Sequence, residues 1–317
     1  MKIFITGGAG CIGSKLAEKL LEDDNNMITV FDNMSSGKEE HISQMNDNNR
    51  FSFIEGDILD KVKIEESMKG HDIVFHLAAN PDIKYKEGSP TDKDFNQNVI
   101  GTYNILEAMR KNSIKEIIFS STSAIYGIPN KLPTSEEYGP NNPISLYGSS
   151  KLCCEALISG FCGMFDIHSW IFRFANIVGP RTRKKGTMVI HDFIAKLKSN
   201  PNKLEILGDG KQSKPYMYVD DCVDGMLFAY RNSSDSVNTF NLGPDDKVSV
   251  DEIAQLIMEE MGLENVEFSY TGKKQGWAGD VSQVFMDVSK INKMGWRTTH
   301  TSKNAIKMTV KKLLSKS

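Results

Sequence analysis

The sequence is short of the features that mark secreted, membrane-spanning or metal-binding proteins. Its five cysteines, Cys11, Cys153, Cys154, Cys162 and Cys222, form no C-x-x-C pair and have no histidine at ligand spacing. That argues against a metal site or a disulfide framework, and reduced, mostly buried thiols are expected. No stretch approaches the roughly 18 apolar residues that a membrane span requires. The start, MKIFITGG, carries one lysine and a short apolar run before glycine, so a cytoplasmic location is expected. There is little imbalance of charge: 38 Lys and Arg against 41 Asp and Glu give a net charge of -3. Without a sustained basic stripe there is no electrostatic footprint for nucleic acid, and KVKIEESMKG and TVKKLLSK read as solvated helix faces. No Pro-, Gly- or Ser-rich linker, internal repeat or low-complexity tract interrupts the 317 residues. A chain of that length, 39% hydrophobic, has room for one large domain or two unequal ones.

What is present is a regular alternation. KIFIT, MITVFD, FSFIEGD, DIVFHLA, EIIFSS and HSWIFRFAN are short apolar runs of strand type. Between them lie GSKLAEKLLED and NVIGTYNILEAMRKN, whose apolar residues recur at helical spacing. Strand and helix in alternation, with runs apolar on both faces, predict an α/β fold: a doubly wound parallel sheet of Rossmann type. After about Gly179 the rhythm changes at the basic loop GPRTRKKG, and helices mix with isolated short strands. The expectation is a dinucleotide-binding domain over 1–178 and a smaller, mainly substrate-binding α/β domain over 179–317. The apolar YMYVDDCVDGMLFAY predicts that about 216–243 packs back on the first domain, so that the two interleave.

ITGGAGCIGSKLAEKL places Gly7, Gly10 and Gly13 between the first strand and the first helix. Glycine permits a tight turn there, and lets a pyrophosphate approach backbone N–H groups of Cys11 and Ile12 at a helix N-terminus. Asp32 ends the second strand about 20 residues after the last glycine, where a carboxylate accepts both ribose hydroxyls and repels a 2'-phosphate. Asn33 follows with no arginine beside it, which favours NAD over NADP. GDI, Gly56 to Ile58, offers Asp57 and Ile58 to the adenine, with a surface turn as the alternative for Asp57.

Two further stretches carry chemistry. SSTSAIYG, Ser120 to Gly127, sets four hydroxyls in a row at the end of an apolar strand, with no acid among them. YGSSK puts Tyr147 and Lys151 four residues apart, hence on one helix face. A tyrosine acting as base near neutrality must lose about three pKa units from ~10, at about 1.4 kcal/mol each. A nearby ammonium and an oxidised nicotinamide can supply that shift in a shielded site.

Together with HLAA (76–79) and NVIGT (98–102), these motifs resemble the extended short-chain dehydrogenase/reductase family. Within it they resemble the NAD-dependent nucleotide-sugar epimerases, almost end to end from Lys2 to MGWRT (294–298). The resemblance implies oxidation of the sugar at C4 and return of the hydride to the opposite face, with NAD regenerated. It makes Tyr147 the base at the 4-hydroxyl, Lys151 the residue that lowers its pKa and holds the nicotinamide ribose, and Thr122 a catalytic hydroxyl. Ser120, Ser121 and Ser123 read as strand-end hydroxyls, with Ser120, Leu77, Ala78, Ala79 and Asn98 along the cofactor, and His76 as a packing residue. Dehydratases of the family carry Asp-Glu where this chain has Ser123-Ala124, and the decarboxylases' glutamate is missing too, which leaves epimerisation.

On the substrate side the resemblance points to Asn176, Val189, Leu204, Ile206, Gln212, Lys214, Asp280 and Val284. Trp277 and Lys214 stand where arginine is common, which puts the phosphate contacts in question; Arg181 and Arg183 are nearby alternatives. Val284 replaces a bulky tyrosine and implies room for N-acetyl sugars beside UDP-glucose and UDP-galactose. A UDP-uronate, dTDP- or GDP-sugar substrate, a net oxidoreductase and a non-catalytic NAD-binding protein are the competing readings. A homodimer paired through the NILEAM helix and that of Tyr147 is the implied assembly.

Overall fold

The strands form where β-branched and aromatic residues cluster between turn residues. In chain order they are β1 (Lys2–Thr6), β2 (Met27–Asp32), β3 (Phe51–Glu55), β4 (Ile73–His76), β5 (Glu116–Thr122) and β6 (His168–Phe174). Then come β7 (Asn176–Val178), β8 (Lys203–Ile206), β9 (Ser213–Lys214), β10 (Tyr216–Tyr218), β11 (Val237–Leu242), β12 (Val248–Ser249) and β13 (Glu267–Tyr270). The helices are α1 (Cys11–Leu21), α2 (Lys61–Ser67), α3 (Gly101–Lys111), α4 (Leu146–Phe165) and α5 (Val189–Ser199). They are followed by α6 (Val219–Asn232), α7 (Val250–Met261), α8 (Ser289–Lys293) and α9 (Ser302–Leu314). This computed structural model describes residues 1–80, 87–182, 188–272, 281 and 284–315.

Seven strands make one sheet in the order β11-β6-β5-β4-β1-β2-β3, and every pairing in it is parallel. This is the Rossmann-type arrangement, with helices covering both faces. One face packs α1 and α6 through Leu16, Ala17, Val223 and Met226 against Ile3, Val30 and Phe240. The other packs α2, α3 and α4 through Ile64, Leu106 and Ile158 against Phe4, Phe31 and Ile117. A third core gathers α5, α7 and α9 around Leu204, Ile206 and Tyr218.

The chain does not move from one body of the molecule to the other only once. Met217 and then Cys222 to Leu242 contribute to the core of the large sheet, where β11 pairs with β6, and Met286, Val288 and Ile291 return there again. Val178 to Ile206, Val248 to Ile257 and Ala305 to Leu313 belong to the third core. Among the described residues no helix is long and apolar enough to cross a membrane, and no group of three His, Cys, Asp or Glu could hold a metal ion.

Candidate active site

The strand order reverses direction at β1, which lies between β2 and β4. Chain leaving β1 and β4 therefore splits to opposite sides and opens a crevice at their C-terminal ends. Thr6 and His76 are the last paired residues. Gly7 then turns with φ +69, and a Cβ on it would lie 2.7 Å from the Ala78 backbone nitrogen. A Cβ on Gly13 would lie 2.4 Å from the Gly7 carbonyl oxygen, so α1 can approach the turn this closely only with glycine there. The result is a cavity of about 300 Å³ at the crevice.

Its walls contain Gly7, Gly10, Cys11, Ile12, Gly13, Asp32, Asn33, Ile58, Leu77, Ala78, Ala79, Ser120, Tyr147 and Lys151. Of the residues expected at the cofactor, Asp57 and Asn98 are not in the lining. Asp57 is turned to its own loop, accepting from Asn33 Nδ2 at 2.9 Å and from the Leu59 N–H. Asn98 stands one layer behind, 1% exposed. Its Oδ1 accepts from the Asn80 N–H at 2.8 Å, and its Nδ2 donates to Ser150 Oγ at 2.8 Å. Ser150 Oγ in turn donates to the Tyr147 carbonyl at 2.8 Å, so Asn98 braces the first turn of α4 from a π-helical turn over Phe95–Ile100.

The lining fits a dinucleotide. Gly10 caps α1 without a side-chain hydrogen bond and no acid stands in the first turn, which leaves the helix-start N–H groups and the positive end of the dipole facing the cavity. Asp32, 8% exposed, accepts from Ala9 N–H at 3.0 Å and Met34 N–H at 2.9 Å. Each of its oxygens keeps lone-pair capacity for a hydroxyl. Burial pushes this carboxyl upward, against the two backbone bonds that pull it down.

At the other end of the cavity stand the tyrosine and lysine. Ser145 caps α4 by accepting from the Gly148 N–H, which places Tyr147 in the first turn and Lys151 one turn deeper. Lys151, 2% exposed, donates from Nζ to the Ser120 carbonyl at 2.7 Å and lies 4.5 Å from the Phe119 ring centre. Burial lowers its pKa to about 8, although Cys154, Glu155 and Asp94 pull the other way. Tyr147 is pushed up to about 12 by burial and then by the Asp94 carboxylate, while a hydrogen bond from Thr122 lowers it. The expected depression of Tyr147 by Lys151 is thus not a property of the protein alone: with Lys151 committed to Ser120, burial wins. Thr122 closes β5, and its Oγ1 also accepts from the Ala124 N–H at 3.2 Å.

The other hydroxyls of the segment have local partners. Ser120 Oγ donates to the His76 carbonyl at 3.3 Å, and Ser121 Oγ donates to Glu155. His76, fully buried, has Thr6 Oγ1 2.7 Å from Nδ1 and Thr102 Oγ1 3.0 Å from Nε2. Burial lowers its pKa to about 3, so it is a neutral packing residue. Asp94 and Asn80, which the sequence reading passed over, share a hydrogen bond of 2.9 Å behind the tyrosine. Their one signal is the i, i+4 spacing of Asp94 from Asn98.

The substrate-side residues do not converge in the same way. Leu204 and Ile206, expected on the substrate side, are 0% exposed in the third core, which leaves no side-chain surface of either for a ligand. Gln212 is 6% exposed, its amide packed on Gly208, where any Cβ would collide with it. Lys214 pairs with Val248 between β9 and β12, and Val189 begins α5 against the third core. Asn176 opens β7 exposed, its Nδ2 3.4 Å from the Pro215 carbonyl. Val284 is partly buried against the sheet core. Asp280, Trp277 and Arg183 lie outside the described residues.

Residues 3–243 match the family described as NAD dependent epimerase/dehydratase. A putative UDP-glucose 4-epimerase of Methanocaldococcus jannaschii is 35% identical over 311 residues, 97% of each chain. Among solved structures, a UDP-galactose 4-epimerase superposes with a TM-score of 0.87 at 36% identity, over 100% of this chain and 99% of that one. A Bacillus cereus UDP-glucuronic acid 4-epimerase in complex with UDP-glucuronic acid and NAD gives 0.89 at 27% identity over all of both chains.

Proposed function

The chain belongs to the NAD dependent epimerase/dehydratase family, and from that premise we propose that it is a UDP-sugar 4-epimerase acting on UDP-glucose and UDP-galactose. The observation that carries the reading is that Tyr147 and Lys151 line one end of a cavity whose other end suits a dinucleotide, with Thr122 hydrogen-bonded to Tyr147. Equally, positions 123 and 124 are Ser and Ala, so no added acid/base pair stands beside Thr122 to eliminate water from a keto sugar.

In this reading Gly7, Gly10 and the first N–H groups of α1 hold the pyrophosphate of NAD, Asp32 the adenosine ribose and Lys151 the nicotinamide ribose. Bound NAD supplies a two-electron acceptor at sugar C4, returns the same electrons, and adds a positive charge near the tyrosine. Tyr147 takes the 4-hydroxyl proton at its phenolic oxygen and gives it back after the sugar has turned over, so protons as well as electrons balance. Thr122 holds the same sugar oxygen, and the desolvated Lys151 stabilises the phenolate. Bringing a phenol from about 12 to neutrality needs ~7 kcal/mol of preferential stabilisation of the anion. That is more than one ammonium at the edge of a cavity provides, so the base works only in the loaded enzyme.

Val284, in place of a bulkier residue, supports a pocket that also admits N-acetyl sugars. The structural likeness to a UDP-glucuronic acid 4-epimerase favours a second reading, a UDP-uronate substrate. Incubation with UDP-glucose, UDP-galactose, their N-acetyl forms and UDP-glucuronate, followed by NMR of the products, separates these. C4 epimers of UDP-glucose with no net NADH support the first; exclusive turnover of the uronate replaces it with the second.

A further inference from the structure

We propose that Arg181 is the residue that retains the cofactor, its guanidinium serving the pyrophosphate of the dinucleotide and not the phosphates of the sugar nucleotide. This deepens the reading just given and rests on it.

The cavity has two cations among its described lining residues, Lys151 and Arg181. Lys151 is at the tyrosine end, committed to the Ser120 carbonyl. The glycine turn itself offers only N–H groups and a helix dipole, and the lysines of α1 are taken up elsewhere: Lys15 lies 3.4 Å from Asp220 and Lys19 2.9 Å from Glu22. Arg181 fills the gap from outside the α1 segment. It sits in the turn between β7 and α5, on the side of the third core, and reaches back across to the first turns of α1. Nη1 donates to Ser14 Oγ at 3.1 Å, and Nη2 donates to Glu18. Ser14 Oγ donates onward to the Gly10 carbonyl at 2.7 Å, which roots the arginine on the glycine turn itself. Its charge is felt by the Cys11 thiol: burial raises that group to about 12, and Arg181 opposes the rise both through space and through its backbone N–H.

With side-chain exposure of 18%, the guanidinium is fixed and largely dehydrated, and two of its five N–H donors are used by described residues. The remaining donors form the planar fork suited to phosphate oxygens. Glu18 orients the fork and partly neutralises it until a second anion arrives. Because the arginine comes from the third-core side, dinucleotide release then requires that this turn detach from α1.

The test uses the full-length protein. After gel filtration, bound NAD per chain is measured in wild type, Arg181→Gln, Arg181→Lys and Glu18→Gln, with NAD affinity by calorimetry on stripped protein. The KM for the UDP-sugar is then taken at saturating NAD. Expected is a loss of NAD affinity of about 10- to 100-fold in Arg181→Gln, as for one lost charge-assisted contact. A smaller loss is expected in Arg181→Lys and in Glu18→Gln, which keeps an acceptor for the fork, with the KM for UDP-sugar within about threefold of wild type. Full NAD retention in Arg181→Gln with a raised KM for UDP-sugar overturns the inference and assigns the arginine to substrate. Equal NAD loss in Glu18→Gln overturns it too, since scaffold packing alone would then account for the effect. Wild type that binds no NAD refutes the proposed function itself.

Discussion

Tyr147 and Lys151 are each displaced toward the neutral form, one to about 12 and the other to about 8. Burial that keeps the Tyr147 phenol protonated at neutral pH, beside a Lys151 that is still largely charged there, protects the base from bulk titration. Tyr147→Phe removes the proposed proton acceptor and nothing that faces the dinucleotide's far end, so turnover should fall by at least about three orders of magnitude, of the size general-base loss produces, with NAD still bound. Near-normal rates would refute the assigned base. Val284→Tyr tests a different residue role: N-acetyl sugar turnover should fall at least about tenfold relative to UDP-glucose, and an unchanged ratio removes Val284 from the pocket. At this scale the sequence was legible where chemistry and spacing coincide, as in Tyr147 with Lys151 or Gly7 with Gly10 and Gly13. It was not legible where a residue acts through neighbours distant in the chain. Asn98, expected along the cofactor, stands behind the lining and braces α4 through Asn80 and Ser150, partners 18 and 52 positions away that no local pattern announces.

Among the elements, α4 is the one whose placement decides the site, and a buried ion pair fixes it. Arg173 on β6 grips Glu155 through Nη2 at 2.8 Å and Nε at 3.1 Å, with side-chain exposures of 9% and 8%. Ser121 donates to the same carboxylate, and Arg173 Nη1 donates to Tyr126 OH at 3.0 Å and the Glu136 carbonyl at 2.9 Å. The distance between the end of β5, with Thr122, and the helix of Tyr147 is therefore set by saturated polar contacts. Glu155→Gln leaves a buried guanidinium without its counter-charge and should cost about 3–5 kcal/mol, read by urea unfolding. Glu155→Leu combined with Arg173→Met should cost less than the sum of the single changes; strict additivity would mean that the pair is not coupled. The elements themselves followed from pattern where apolar runs are continuous. VNTFNL, which forms β11, does not read as a core strand, because Asn238 and Asn241 occupy buried positions. Asn238 Nδ2 reaches the Ser169 carbonyl at 3.1 Å, and Asn241 Nδ2 reaches the Thr134 carbonyl at 2.9 Å. Their partners lie 69 and 107 residues away, so no local pattern announces them.

For the molecule as a whole, folding commits titratable groups to a neutral interior. His76 has its pKa lowered to about 3 by burial, and burial pushes His41 and His71 down as well. The unfolded chain binds a proton at each near pH 6.5, whereas the folded chain takes each up only at a lower pH. Stability present above that pH is therefore lost as pH falls toward the folded value, up to ~5 kcal/mol for His76 alone. Urea midpoints should decline between pH 6.5 and pH 4, and His76→Gln should flatten the decline. An unaltered slope in that variant would place the acid sensitivity elsewhere.

The two returns of the chain to the large sheet carry a mechanical consequence. Bodies joined by one peptide can swing about it, whereas bodies sewn together by several passages have few degrees of freedom left. Here Met217 to Leu242 and Met286 to Ile291 are stitches of that kind, and one of them supplies the edge strand β11. Relative motion of the two bodies must bend every one of these passages at once, so the hinge between them is stiffer than a single linker would make it.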